Sequence, residues 1–212
     1  MPKWITDLQG GDNAEWLKAR LGCLTASRMA DAMAMLKKGG ETEARRKYKL
    51  QLIAERLTGS AADFYCTAAM QRGIDEEPAA KERFEELTGL FIQDCGFALH
   101  DTIDRCGASP DGLIGADALI EIKNPNTETH LEYLLAAEPP DRYKPQMLLQ
   151  LAVTGRKLCY FMSYDSRLKP PYDALVVKFE PSDEELQSAE DAARQFLAEV
   201  EEMQQKLAGV QK

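Results

Sequence analysis

The sequence runs to 212 residues, of which 44 % are hydrophobic and 29 % charged, with a formal net charge of −9. That balance is typical of a soluble globular protein. No run approaches the roughly 20 apolar residues of a membrane-spanning helix, and the first residues lack the apolar stretch of a secretory signal. A single domain over residues 1–212, cytoplasmic and without a membrane partner, is therefore expected.

Residues 13–20 read as a short amphipathic helix with Trp16 and Leu17 inward. Thr25 or Ser27 is placed to cap the next helix, 28–36, and Lys37-Lys38-Gly39-Gly40 breaks the chain into a loop. Residues 41–57 form a strong helical pattern with Leu50, Ile53, Ala54 and Leu57 on one face, stopped at Thr58-Gly59. A helix over 67–87 follows, with Phe84 and Leu87 inward and Thr88-Gly89 as its stop signal. Strands are expected at 90–99, at 103–108 and at 118–123, where Leu-Ile-Glu-Ile-Lys alternates apolar and polar residues. After the Asn124-Pro125-Asn126 loop come helices at 128–137 and 143–154, then buried strands at 157–164 and 174–179. Ser182 and Glu185 have the spacing of a capping box and open an acidic C-terminal helix, read as a solvated face. This order predicts an α/β fold, a central mixed sheet flanked by helices.

The negative charge is unevenly spread. Between Glu180 and Glu202 stand nine acidic residues and one base, Arg194, so the rest of the chain is close to neutral. Local patches decide binding rather than the total, and Arg45, Arg46, Lys47 and Lys49 form one basic run. Cys23, Cys66, Cys95, Cys106 and Cys159 include no C-x-x-C pair, which points to scattered buried thiols instead of disulfides, zinc or an iron–sulfur cluster. His100 and His130 lie in no metal-ligand spacing and are read as structural or surface residues. No phosphate loop of the G-x-x-x-x-G-K-[ST] type is present, so ATP-driven action has no support.

Three groups stand out for chemistry. Asp111 lies in Ala-Ser-Pro-Asp-Gly, a turn signature, and Glu121-Ile122-Lys123 follows on a strand. Residues two apart on a strand face the same side, so Glu121 and Lys123 share a face while Ile120 and Ile122 bury on the other. A hairpin joining the Asp111 turn to the strand before it would bring its carboxylate to that face. Two converging carboxylates repel unless a cation sits between them, and a hard divalent ion with oxygen ligands suits best. Such an ion activates water and stabilises charge on a reacting phosphate. Lys123, a compact point charge, is suited to orient the attacking water or to neutralise that charge. Separately, E-x-K is a common exposed strand face and S-P-D-G a common turn; together they read as the equipment for phosphodiester hydrolysis.

The ensemble resembles the PD-(D/E)xK nuclease superfamily with its restriction-endonuclease-like fold. The wider chain resembles the phage-lambda-type 5′→3′ exonucleases, also called alkaline exonucleases or viral recombinase nucleases. The resembling segments run in order: Arg20-Leu21-Gly22-x-x-Thr25-Ala26-Ser27, Gly73-x-x-x-Glu77, Ser109-Pro110-Asp111-Gly112, Glu121-x-Lys123, Gln146, and Tyr160-Phe161-x-x-Tyr164-Asp165. The resemblance implies that Asp111, Glu121 and the backbone carbonyl of Ile122 ligate Mg²⁺. Two ions are expected, Mn²⁺ being a substitute, with Glu77 holding the second through water. Lys123 is then the catalytic lysine. Glu76 is adjacent to Glu77 and leaves the helical register open. Gln146 faces the site from the helix after the core strand, or is a surface amide. Arg20, Ser27 and Ser109 match positions that bind a DNA 5′-phosphate; arginine gives bidentate phosphate contacts and Ser27 lies near a helix start. Met70 falls near an apolar wedge position, or is a core methionine.

The implied activity is Mg²⁺-dependent 5′→3′ digestion of one strand of linear double-stranded DNA. It would leave a 3′ strand for a single-strand annealing protein, in a bacterial or phage-infected cell. A homotrimeric ring around DNA is also implied, and it suits a chain with little positive charge. The short N-terminal arm and the 37–40 loop depart from the family pattern. The competing readings are an endonuclease of the same superfamily and a non-catalytic DNA-end-binding protein.

Overall fold

The computed structural model describes residues 2–5, 14–61 and 67–210. The expected start of the first helix at Asn13, and Cys66, lie outside the described residues. In chain order come β1 (Lys3–Ile5), α1 (Ala14–Arg20), β2 (Leu24–Thr25), a 3₁₀ turn (Ala26–Arg28), α2 (Met29–Met33), α3 (Glu43–Thr58) and α4 (Ala68–Thr88). Then follow β3 (Phe97–Leu99), β4 (Cys106–Ala108), β5 (Gly112–Ile114), β6 (Ala118–Lys123) and α5 (Thr127–Ala136). A 3₁₀ turn (Asp141–Tyr143), α6 (Lys144–Thr154), β7 (Leu158–Tyr164), β8 (Ala174–Phe179) and α7 (Asp183–Gly209) complete it. No described helix is long and apolar enough to cross a membrane.

The α/β class with mixed sheets flanked by helices is as expected, but the strands divide into two four-stranded sheets, ordered β1-β3-β4-β2 and β5-β6-β7-β8. Each contains one parallel pair, β2 with β4 and β6 with β7. The β6–β7 pair needs a crossover, which α5 and α6 supply. β6 is thereby an interior strand, packed on both faces. Ile120 and Ile122 join Ala80 and Phe84 of α4, while Leu119 joins Met147 and Leu151 of α6. The two-residue alternation predicted for this strand thus sends alternate side chains to opposite helical layers.

Side-chain caps set the helix starts. Thr42, Thr67, Asn126 and Ser182 each accept the backbone N–H three residues on, and Ser182 with Glu185 completes the expected capping box. Each such cap contributes about 1 kcal/mol. Neither Thr25 nor Ser27 caps α2, which is only five residues long; their hydroxyls lie 3.3 Å from each other instead. The strand expected at 90–99 shrinks to β3 plus an isolated bridge between Gln93 and Leu113. Part of the reason is that Ile92 N–H is drawn to the Glu85 carboxylate on α4.

Two helices turn a different face inward from the one expected. Leu17 of α1 is exposed, and so are Leu50 (44 %) and Leu57 (66 %) of α3. Tyr48, Leu52 and Ile53 of α3 are buried, together with Arg45 and Lys49. The cause is α7. Glu199 accepts from Arg45 Nη2 at 3.0 Å and from Lys49 Nζ at 3.0 Å, while Phe196 stacks on Tyr48 at 5.3 Å. Half of the predicted basic run is therefore internal ion pairing and is not available to nucleic acid. The acidic helix is correspondingly amphipathic, burying Ala189, Ala193, Phe196, Leu197 and Val200.

Arg45 first, and Lys49 with it, hold the Glu199 carboxyl down at about 2 against burial, from an ordinary 4.5. A depressed carboxylate contributes stability that is present above the unfolded-state value and lost as pH falls through the folded one. Chemical denaturation at pH 6 and at pH 3 should therefore show a loss of about 2–3 kcal/mol attributable to this pair. Glu199→Gln should lower stability at pH 6 and remove that part of the pH dependence. An unaltered pH dependence would exclude Glu199 as its source.

Candidate active site

The β5–β6 hairpin, rather than one with the strand before it, brings Asp111 to Glu121. Asp111 N–H donates to Ile120 O at 3.2 Å, and Ile122 N–H returns to Asp111 Oδ2 at 2.6 Å. Gly112 is required by close approach: a Cβ there would stand 2.2 Å from Ile92 Cγ2. The turn signature thus does two jobs, bending the chain and letting it pass beneath Ile92.

Glu121 is 1 % exposed and is held from α6. Gln146 Nε2 donates to its Oε1 at 2.6 Å and Gln150 Nε2 to its Oε2 at 2.6 Å. Lys123 Nζ pairs with the same Oε1 that Gln146 reaches, and stands 5.0 Å from the Tyr143 ring centre. Gln146 therefore faces the site. Gln150 was not singled out from the sequence, although it stands one helical turn after Gln146, the spacing that puts two side chains on one helix face.

Burial, and then the Glu121 charge, push Asp111 well above the usual carboxylate range; Lys123 and the Ile122 amide pull the other way. Burial opposes the Lys123 charge, but Glu121 and Asp111 outweigh it and hold the ammonium protonated above its ordinary range. This pair of carboxylates carries more negative charge than one lysine relieves. No three His, Cys, Asp or Glu side chains converge as a complete cage among the described residues. The donor set fits a small hard cation that keeps several waters and takes one or two carboxylates, the habit of Mg²⁺.

A cleft opens at the end of β6. Gly73, Ile74 and Glu77 of α4 line it, with Ile122 to Pro125 at the end of β6 and Arg142 and Tyr143 before α6. Glu77 lines this cleft, paired with Lys81 at 2.9 Å, and its charge reaches Asp111. Glu76 does not line it; it accepts from Ser166 Oγ at 3.0 Å and from Asn124 Nδ2, of a cleft-lining residue, at 3.5 Å.

A second pocket adjoins the first. Arg20, Ser27 and Trp16 line it, and Met70 lines both. Arg20 lies 4.1 Å from the Trp16 ring centre and has no carboxylate partner among the described residues. Ser109 is joined to this wall by accepting Trp16 Nε1–H at 3.2 Å. Met70 is 44 % exposed, which excludes the core reading.

The remaining sequence features are structural. His130 is buried between Ser163 Oγ (2.7 Å) and Tyr172 O (2.9 Å), and His100 Nδ1 accepts from Thr102 and Ile103 N–H. Cys23, Cys95, Cys106 and Cys159 are free thiols; burial pushes Cys95 and Cys106 up to about 12. The Tyr-Phe-x-x-Tyr-Asp segment packs behind the site. Phe161 stacks under Tyr143 at 5.7 Å, and buried Asp165 accepts from Thr127 Oγ1 at 2.7 Å, fastening the start of α5 just past Lys123.

Comparison with known proteins follows this geometry. The family model described as a YqaJ-like viral recombinase domain matches residues 15–157. The alkaline exonuclease LHK-Exo from Laribacter hongkongensis is 42 % identical, with a TM-score of 0.84 over 92 % of this chain and 96 % of that one. Its complex with dAMP matches at the same identity and TM-score, covering 95 % of that chain. A phage-related exonuclease from Haemophilus somnus 129PT shares the fold at 12 % identity, with a TM-score of 0.62 over 89 % of this chain and 96 % of that one. No curated protein matches the chain.

Proposed function

From the premise that the chain belongs to the YqaJ-like viral recombinase family, and is accordingly a nuclease acting on DNA, we propose that it digests one strand of linear duplex DNA from the 5′ end with Mg²⁺. The carrying observation is the adjacency of two sites. A carboxylate–lysine cleft adjoins a pocket whose Arg20 forms no ion pair among the described residues, and Met70 lines both. A terminal 5′-phosphate in the second pocket would place the first internucleotide linkage in the cleft.

Asp111, Glu121 and the Ile122 carbonyl would hold the ion, with Glu77 taking a second through water. When bound, a divalent ion lowers the pKa of water and stabilises charge on the reacting phosphate. The chain's own groups do the rest. Gln146 and Gln150 fix both oxygens of Glu121 in one orientation. Lys123, kept protonated, offers an ammonium to the phosphate oxygens or the attacking water. Met70 would lodge against the terminal base pair. LHK-Exo has been seen with dAMP, a nucleoside monophosphate; mononucleotides are the product this reading assigns here. The 3′ strand left behind would pass to a single-strand annealing protein, and a homotrimer around the duplex would keep the enzyme on its substrate.

The test is a linear duplex labelled separately at its 5′ and 3′ ends, with Mg²⁺ or EDTA and a circular control. Loss of the 5′ label first, with the circle intact, is expected. Cutting of the circle would mean an endonuclease. Arg20→Ala should bring the rate ratio between 5′-phosphorylated and 5′-hydroxyl ends from tenfold or more to near one, as expected for loss of a charged phosphate contact. A preserved ratio would remove Arg20 from the pocket.

A further inference from the structure

Most arginines in the described residues have a carboxylate partner: Arg45 has Glu199, Arg56 has Glu201, Arg83 has Asp173 and Arg167 has Asp165. Arg142 has none, although it stands on the wall of a cleft that contains Glu77. It is exposed but not loose. Its guanidinium lies 4.5 Å from the Tyr143 ring centre and 5.6 Å from that of Tyr133, and Nη2 donates to the Tyr143 hydroxyl at 2.5 Å. Tyr143 is itself fixed, stacked on Phe161 and edge-on to Tyr133. The platform that holds Arg142 also faces Lys123, whose ammonium is 5.0 Å from the same ring. The aromatic faces hold the guanidinium in place, and its bond to the Tyr143 hydroxyl uses only part of its five-donor edge. A cation without a carboxylate partner among the described residues, pre-set on an aromatic stack beside Lys123, is equipped to receive a phosphate.

The two pockets order these groups: Met70 lines both the Arg20 pocket and the cleft, whereas Lys123 and Arg142 line the cleft alone. With a terminal phosphate at Arg20 and the first linkage in the cleft, the next phosphate of the strand would fall within reach of Arg142, the cleft cation without a carboxylate partner among the described residues. Resting on the nuclease reading, we propose that Arg142 binds the backbone phosphate on the 3′ side of the scissile linkage, and so holds the strand in register for each cut. The ligand is one phosphodiester of the cut strand, recognised by charge and not by base.

The experiment uses a short duplex whose second linkage from the 5′ end is a methylphosphonate, uncharged but similar in shape. The native chain should cleave it about tenfold less efficiently in kcat/KM than ordinary DNA. Arg142→Ala should lose about tenfold on ordinary DNA, mostly in KM, and lose nothing further on the neutral linkage; Arg142→Lys should recover part of the loss. In EDTA, where no cutting occurs, the log–log salt slope of duplex binding should fall by about one in Arg142→Ala. Because Arg142 is exposed, its thermal midpoint should be unchanged. Losses that multiply between variant and neutral linkage, or an unchanged salt slope, would overturn the assignment. If the native chain cut no DNA, the nuclease reading would fall, and the salt slope would still decide whether Arg142 meets a phosphate.

Discussion

Replacing Lys123 with alanine should leave a folded, DNA-binding protein that cuts about a thousandfold more slowly or worse, the scale expected when a charge-stabilising group is lost from a reacting centre. The fold should survive because Glu121 does not depend on Lys123 for its position. Gln146 and Gln150 each hold one of its oxygens, and the strand beneath is an interior member of its sheet. The loss should fall in kcat and leave KM little changed, since removing an interaction made chiefly in the transition state acts that way. Metal affinity should hold or rise, because the ammonium no longer occupies Glu121 Oε1. Single-turnover cleavage, with Mg²⁺ titration alongside, measures both. A variant that cuts at the native rate would strip Lys123 of its role, and one that fails to fold would make it a structural residue.

Asp111→Asn should abolish metal-dependent cleavage while stabilising the metal-free protein. Two buried carboxylates share this site, and burial first, then the Glu121 charge, pushes Asp111 up against the pull of Lys123, so the metal-free fold carries a cost that Lys123 only partly offsets. Asparagine retains an oxygen to accept the 2.6 Å bond from Ile122 N–H and discards the charge. Relief of about 1 kcal/mol would raise the melting midpoint in EDTA by roughly 2–4 °C for a chain of this size. With Mg²⁺ the order should reverse, because the native chain gains binding energy that the variant has lost. Residual Mg²⁺-dependent cutting would remove Asp111 from the metal set. A lower midpoint in EDTA would mean that the carboxylate serves the hairpin more than the ion.

The chemistry was legible where it obeys a local rule. Glu121 and Lys123 sit two apart on a strand, and the alternation is visible in six letters. Asp111 is announced by its turn, although the sequence alone did not reveal that the turn opens β5 and pairs forward. β1, β2 and β5 have two or three residues each, too few for a period to register. The face of α3 was misjudged for a different reason. Hydropathy sets Arg45 and Lys49 outside, and their counter-charge on Glu199 lies 154 and 150 residues further along. Gln150 shows the same limit, because an amide within a helix has no local mark of the carboxylate it will meet. Sequence patterns report a residue's neighbours along the chain, whereas buried ions are settled by neighbours in space.

The clamp of α7 over α3 also bears on when this fold can close. Until residues 196–200 have cleared the ribosome, Arg45 and Lys49 lack Glu199, and Tyr48 lacks the ring of Phe196. α7 also packs on α6, whose two glutamines orient Glu121. A stretch of chain that carries Asp111, Glu121 and Lys123 but lacks α7 therefore has the residues of the site without the packing that supports the helix orienting Glu121. Domains generally fold as whole units; here that habit makes the assembly of the site depend on a helix remote from it along the chain.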